Sequence, residues 1–183
     1  MPGMLGDIPP GLRTVGRRQP YGGAMTDPSH GATGESALAP FLLSVDHVGL
    51  AVPDLDAAIA FHRDVLGHRL VHEETNAEQG VREAMMAVGP ADPHGGDQPT
   101  LLQLLAPTGP ESTIARFLDR NGPGLQQLAY RVSDVEAASA ALRARGLRLL
   151  YDTPRRGTAG SRINFIHPKD AGGVLIELVE PAG

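Results

Sequence analysis

From Leu43 onward the chain switches between a twofold and a helical apolar pattern. Ser44 to Val52 is rich in β-branched and aliphatic residues and stops at Pro53, which predicts a strand. Leu55, Ala58, Ile59, Val65 and Leu66 then recur at helical spacing, with Asp54 as N-cap and Gly67 as the stop. Strands are predicted at His68–Glu73, Val81–Val88 and Thr100–Leu105, the last two joined by a Gly-, Pro- and Asp-rich hairpin loop from Gly89 to Pro99. A short helix follows, capped by Ser112, striped by Ile114, Phe117 and Leu118, and ended by Gly122. The order then returns: a strand Leu125–Val132, a helix Asp134–Ala144 and a strand Arg148–Tyr151, with Ser133 and Glu136 resembling a capping box. A loop Asp152–Gly160 and strands Ser161–Ile166 and Val174–Val179 complete it.

The two halves align residue by residue. Asp46-His47-Val48-Gly49-Leu50-Ala51-Val52 stands against Gln126-Gln127-Leu128-Ala129-Tyr130-Arg131-Val132, and Leu101-Leu102-Gln103-Leu104-Leu105 against Leu175-Ile176-Glu177-Leu178-Val179. The fold class read from this repeat is α+β: two βαβββ modules in tandem, forming a curved, barrel-like mixed sheet around a central cavity. Module one spans 43–108, a linker helix 111–121 and module two 124–181, within one domain of 43–182. Residues 1–42, rich in Gly, Pro, Ser and Thr without apolar period, read as a disordered extension. Arg13, Arg17 and Arg18 there could form a partner-binding arm, though an unselected tail or an over-long start, with Met25 as the true one, is favoured.

Composition narrows the chemistry. The chain has no cysteine, so a metal would be bound by His, carboxylate or amide oxygen. The net charge of −5 and the lack of a basic run argue against nucleic acid. No apolar stretch is long enough to span a bilayer, and the N-terminus lacks a secretory apolar region, so a cytoplasmic protein is expected.

Glu177 is the sharpest single residue, a carboxylate inside an apolar strand that needs a partner or an open polar face. Gln103 keeps the same slot in the first copy. His47 and Gln127 are likewise equivalent, so His47, Gln103, Gln127 and Glu177 form one set related by the repeat. An imidazole, two amide oxygens and a carboxylate suit Co²⁺, Mn²⁺, Ni²⁺, Fe²⁺ or Zn²⁺ with positions left for substrate oxygens, and with one negative charge the bound ion would stay a Lewis acid. Glu83 breaks the symmetry, since the second copy has Ile163 there, and it is the candidate catalytic base. His30, His62, His68, His72 and His94 read as surface or structural.

At these residues the chain resembles the vicinal oxygen chelate, or glyoxalase-like, superfamily, and within it the methylmalonyl-CoA epimerase family, over about residues 44–181. His47 falls on the first metal ligand, Glu83 on the catalytic glutamate (after Glu78-Gln79-Gly80-Val81), Gln103 on the glutamine ligand and Glu177 on the last ligand, which can also act as an acid–base group. Arg155-Arg156-Gly157, Gly160-Ser161-Arg162 and His167-Pro168-Lys169 through Gly173-Val174-Leu175 resemble epimerase segments. Where that family commonly has His-His, this chain has Gln126-Gln127, a departure that implies weaker metal binding or a shift toward Mn²⁺ or Mg²⁺. The resemblance implies epimerisation at C2 of methylmalonyl-CoA through a metal-stabilised enolate, with Glu83 and Glu177 catalytic, a divalent metal cofactor (Co, Mn, Ni, Zn or Mg), an acyl-CoA substrate contacted by Lys169 or Arg155, and a homodimer. A glyoxalase I-type isomerase and a metal-free binding or resistance protein of the same fold are the alternatives.

Overall fold

The computed structural model describes residues 36–89 and 99–183. The expectations for residues 1–35, including Arg13, Arg17, Arg18, Met25 and His30, and for most of the Gly89–Pro99 loop with His94, lie outside the described residues. The elements are β1 (Leu42–Ala51), α1 (Leu55–Asp64), β2 (Arg69–Asn76), β3 (Val81–Ala87), β4 (Leu101–Pro107), α2 (Thr113–Asn121), β5 (Gly124–Val132), α3 (Val135–Ala144), β6 (Arg155–Arg156), β7 (Arg162–Ile166) and β8 (Leu175–Glu180).

Among the described residues, all strands join one 8-stranded sheet in the order β2-β3-β4-β1-β5-β8-β7-β6. The order reads the same from either end by module: β1 pairs parallel with β4, β5 pairs parallel with β8, and the antiparallel β1–β5 pair joins the halves. The sheet is curled. Thr158, in the turn between β6 and β7, reaches Glu83 of β3 at 2.7 Å, although these strands lie near opposite ends of the order.

Side chains alternate across the sheet with period two. Leu104, Ala84 and Met86 pack outward with Leu55 and Ile59 of α1. Leu178, Ile166 and Val132 pack outward with Val135, Ala138 and Leu142 of α3. The residues between them on each strand face the concave side, where Ala129, Ile163, Phe165 and Val179 form one apolar wall. Ser112 caps α2 by accepting from the Ile114 and Ala115 amides, and Gly122 ends it at φ 73, a left-handed conformation that glycine adopts freely.

Three local expectations are corrected. The cap of α3 is Asp134, whose Oδ1 accepts from the Glu136 and Ala137 amides, so the first helical residue is Val135 and Ser133 lies one position too early. Packed chain begins before Leu43: Ala37, Leu38 and Phe41 cover the α3 cluster, and the Phe41 carbonyl accepts from the Ser133 amide. The expected strand Arg148–Tyr151 is reduced to a single bridge between Leu149 and Ile166, and the short β6 falls inside the expected loop. The buried Asn164 side chain is the cause. Its oxygen accepts from the Tyr151 amide and its nitrogen donates to the Tyr151 carbonyl, so a side chain replaces ladder bonds there.

Candidate active site

The concave face gathers the residues singled out by the repeat. His47 comes from β1, Glu83 from β3, Gln103 from β4, Gln127 from β5 and Glu177 from β8, and all five are buried. Strand register brings them together: Gly49 of β1 is aligned with Gln103 on one side and Gln127 on the other, while Ala129 is aligned with both His47 and Glu177. Gly49 is required by close approach, because a Cβ there would lie 2.5 Å from Gln127 Cγ.

Gln127 is the hub. Its Nε2 donates to Glu177 Oε2 at 2.5 Å and Gln103 Oε1 at 3.1 Å, and lies 3.4 Å from His47 Nε2. The Gln103 and Glu177 oxygens take the two hydrogens of an amide NH₂, so Gln127 presents its nitrogen to them and not its oxygen. His47 Nε2 is also 3.2 Å from Glu177 Oε2. On its other side His47 Nδ1 is 3.0 Å from Asp46 Oδ1, and Arg131 Nε donates to Asp46 Oδ2 at 2.7 Å. Burial opposes charge on His47, but the Asp46 and Glu177 carboxylates outweigh it and push its pKa up to about 9. Asp46, though buried, is held below the usual carboxylate range by His47 and Arg131.

Glu83 forms the second part of the network. Its Oε2 accepts from Gln103 Nε2 at 2.9 Å, and its Oε1 from the Thr158 hydroxyl at 2.7 Å. Thr158 Oγ1 also accepts from Gln103 Nε2 at 2.9 Å. Burial pushes the Glu83 carboxyl up to about 7; the Thr158 hydroxyl bond pulls against this, and the nearby Glu74 and Glu177 add to it. Such a value suits a base working near neutrality.

Glu83, Gln103, Gln127, Glu177 and Thr158 line one cavity of about 360 Å³, walled by Leu105, Ile114, Ile163 and Phe165 and flanked by Arg116 and Arg155. The Arg155 guanidinium lies 4.2 Å from the Tyr151 ring centroid, whereas Lys169 is exposed in a 3-10 turn. Gln126 Oε1 is buried without a hydrogen-bond partner among the described residues, and Gln126 also lines this cavity. A second cavity of about 290 Å³ meets the first at Thr158 and Glu177 and adds His47, His72, Met85 and Arg131.

Thr158, Arg131 and the bracing role of Asp46 escaped the sequence reading. Thr158 sits in Gly157-Thr158-Ala159-Gly160, where the flanking glycines were the only local signal. Gly157 allows a close approach, since a Cβ there would lie 2.5 Å from Ile163 Cγ2. Ala159 takes a left-handed φ of 53.

Two βαβββ halves closing a shared polar cluster into a concave sheet define a protein of the vicinal oxygen chelate type. Residues 46–165 match the family described as the Glyoxalase/Bleomycin resistance protein/Dioxygenase superfamily. An ethylmalonyl-CoA/methylmalonyl-CoA epimerase of Cereibacter sphaeroides is 36% identical over 73% of this chain and 95% of its own length. The crystal structure of methylmalonyl-CoA epimerase from Mycobacterium tuberculosis is 59% identical with a TM-score of 0.71, covering 78% of this chain and 90% of that one. A variant of the Streptomyces coelicolor methylmalonyl-CoA epimerase in complex with 2-nitronate-propionyl-CoA is 46% identical with a TM-score of 0.71, covering 78% and 99%. The chain belongs to this superfamily and, within it, to the methylmalonyl-CoA epimerases.

Proposed function

We propose that the protein interconverts the C2 epimers of methylmalonyl-CoA by proton transfer between two carboxyls. The observation that supports this most is that Glu83 and Glu177, one from each half, are buried and line the same cavity, separated by the Gln103 and Gln127 carboxamides. Ionised Glu83 breaks the C2–H bond and takes the proton, and the electron pair spreads onto the thioester oxygen. A proton is returned to C2 from the other face through Glu177, with the His47 ring 3.2 Å from Glu177 Oε2 as its source. Each positioned group contributes roughly 10²–10⁴-fold. The apolar wall excludes water from the carbanion, and Arg116 and Arg155 offer positive charge to coenzyme A phosphates.

The cluster offers a donor set for a divalent metal. His47 Nε2 and Glu177 Oε2 are 3.2 Å apart, close to the roughly 3 Å between neighbouring ligand atoms when metal–ligand bonds are about 2.1 Å. Gln103 Oε1 and the Gln127 carboxamide are similarly placed. The set fits an ion once Gln127 presents Oε1 in place of Nε2. Among the described residues no three His, Asp or Glu side chains are grouped so as to hold a metal ion, because two of the four donors are carboxamides. His47, Gln103, Gln127 and Glu177 would hold the ion, which when bound supplies positive charge beside the developing oxyanion. A cytoplasmic location and a homodimer belong to the same reading; both halves of the site come from one chain, so dimerisation is separate from the chemistry.

Proton NMR of methylmalonyl-CoA in D₂O tests the reading, with the protein alone and with each of Co²⁺, Mn²⁺, Ni²⁺, Zn²⁺ and Mg²⁺. Loss of the C2 proton signal with interconversion of epimers is expected, and Glu83→Gln abolishes it. No exchange under any condition, with turnover of a hemithioacetal instead, would transfer the protein to the glyoxalase I-type class.

A further inference from the structure

β5 does not alternate strictly where it enters the site. Gly49 of β1 is aligned with Gln127, but the next residue, Leu50, is aligned with Leu125, so Gln126 is an extra residue with no partner on β1. On its other side the β5–β8 register begins only at Gln127. Such a bulge turns the strand locally and re-aims a side chain. With strict period two, Gln126 and Gln127 would face opposite sides of the sheet. Instead both line the cavity that holds Glu83 and Glu177.

Gln126 Oε1 is buried and accepts no hydrogen bond from any described residue. The cationic groups that flank the cavity are engaged elsewhere: Arg116 donates to the Glu111 carbonyl, and Arg155 lies over the Tyr151 ring and reaches Glu78 at 3.4 Å. Gln127, one residue on, commits both amide hydrogens inside the cluster. A carbonyl oxygen removed from water and left without a donor destabilises the protein unless something supplies one. The bulge therefore holds a spare acceptor at a defined place. Exposure along β5 falls inward from Leu125 at 55%, through half-buried Gln126, to Gln127 at 6%. A molecule that reacts at the cluster and leaves the cavity along this strand meets Gln126 next.

We infer that Gln126 is a substrate-recognition residue whose Oε1 accepts from the amide N–H nearest the sulfur in the pantetheine arm of the acyl-CoA. This rests on the proposed epimerisation. The reacting end of an ionised methylmalonyl thioester offers only acceptors: a carbonyl, a carboxylate and a sulfur. The first N–H along the arm lies four bonds from the thioester carbon, and neighbouring residues such as Gln126 and Gln127 have Cα atoms about 3.8 Å apart. A donor at that remove from the reacting carbon suits an acceptor one residue out from the cluster. Leu175 and Phe165, in the same cavity, supply an apolar lining for the methylenes between. The contact selects a thioester carried on a pantetheine-type arm over a simple alkyl thioester.

The test compares methylmalonyl-CoA with the analogue in which an ester oxygen replaces that amide N–H, leaving length and shape nearly the same. The analogue sets a lone pair against Gln126 Oε1 where the natural arm sets a hydrogen. Wild type is expected to favour methylmalonyl-CoA about tenfold in kcat/KM for epimer formation. Gln126→Met, near in shape and without the oxygen, should bring the ratio close to one, and Gln126→Glu, which retains an acceptor, should keep it. Both molecules are assayed on the same protein sample, so a variant that folds poorly loses activity on both and leaves the ratio intact. Equal rates in wild type, or a preference that survives Gln126→Met undiminished, overturns the inference. A wild-type protein that epimerises neither molecule overturns the proposed function instead, so the two failures are distinct.

Discussion

Gln127 Nε2 lies 2.5 Å from Glu177 Oε2, a hydrogen bond between neighbouring strands at the centre of the buried cluster. The same nitrogen also donates to Gln103 Oε1 and lies beside the His47 ring, so both hydrogens of the carboxamide are taken within the cluster. The cluster is therefore closed internally, and a cation must displace these bonds to enter.

Gln127→His removes that competition and supplies a ring nitrogen. Affinity for Co²⁺ or Mn²⁺ is expected to rise by about tenfold, equal to about 1.4 kcal/mol, in a calorimetric titration. Equal affinities would mean that the carboxamide turns at no cost.

The Glu83 carboxyl, raised to about 7, must be ionised to act as a base. The kcat/KM profile is expected to climb as pH rises through about 7. Thr158→Val removes the hydroxyl that favours the charged form, so the climb should move to higher pH in stopped-time assays of epimer formation. A limb unmoved by Thr158→Val would separate the profile from Glu83.

His47 is charged up to about pH 9 in the fold, against 6.5 for an ordinary imidazole. A raised pKa stabilises the fold fully below the lower value and ceases to do so as pH rises through the higher one. Chelator-treated protein should lose up to about 3 kcal/mol between those limits in urea melts. His47→Gln should be less stable overall but flatter across the window.

An alanine at position 49 would place its Cβ 2.5 Å from Gln127 Cγ, in mid-side-chain where little can give. Gly49→Ala is expected to cost about 1–3 kcal/mol in denaturant unfolding and to reduce epimerisation, because Gln127 must leave its place among His47, Gln103 and Glu177. Normal stability with normal activity would show that the strand pair can shift.

The inner cluster was legible because the chain says the same thing twice. Gln103 and Glu177 sit at one position of two like strands, and period two placed both on one face. Glu83 stood out by contrast with Ile163. Thr158 was not legible in that way. It reaches Glu83 only because the sheet curls, and curvature is a sum of small strand twists that no local pattern records. Asn164 misled the reading of Arg148–Tyr151 for a related reason: nothing in the sequence says that a side chain will take over backbone bonds. Leu38 and Phe41 were missed because they pack from a turn, where no period exists.

The antiparallel pair β1–β5 joins two unlike halves within one chain. Two identical chains meeting at such a seam would carry any carboxylate at the position of Glu83 twice, and both sides of a bound carbanion would meet the same group. On one chain, one half has Glu83 and the other Ile163. A twofold scaffold can thus treat the mirror-related faces of a substrate differently.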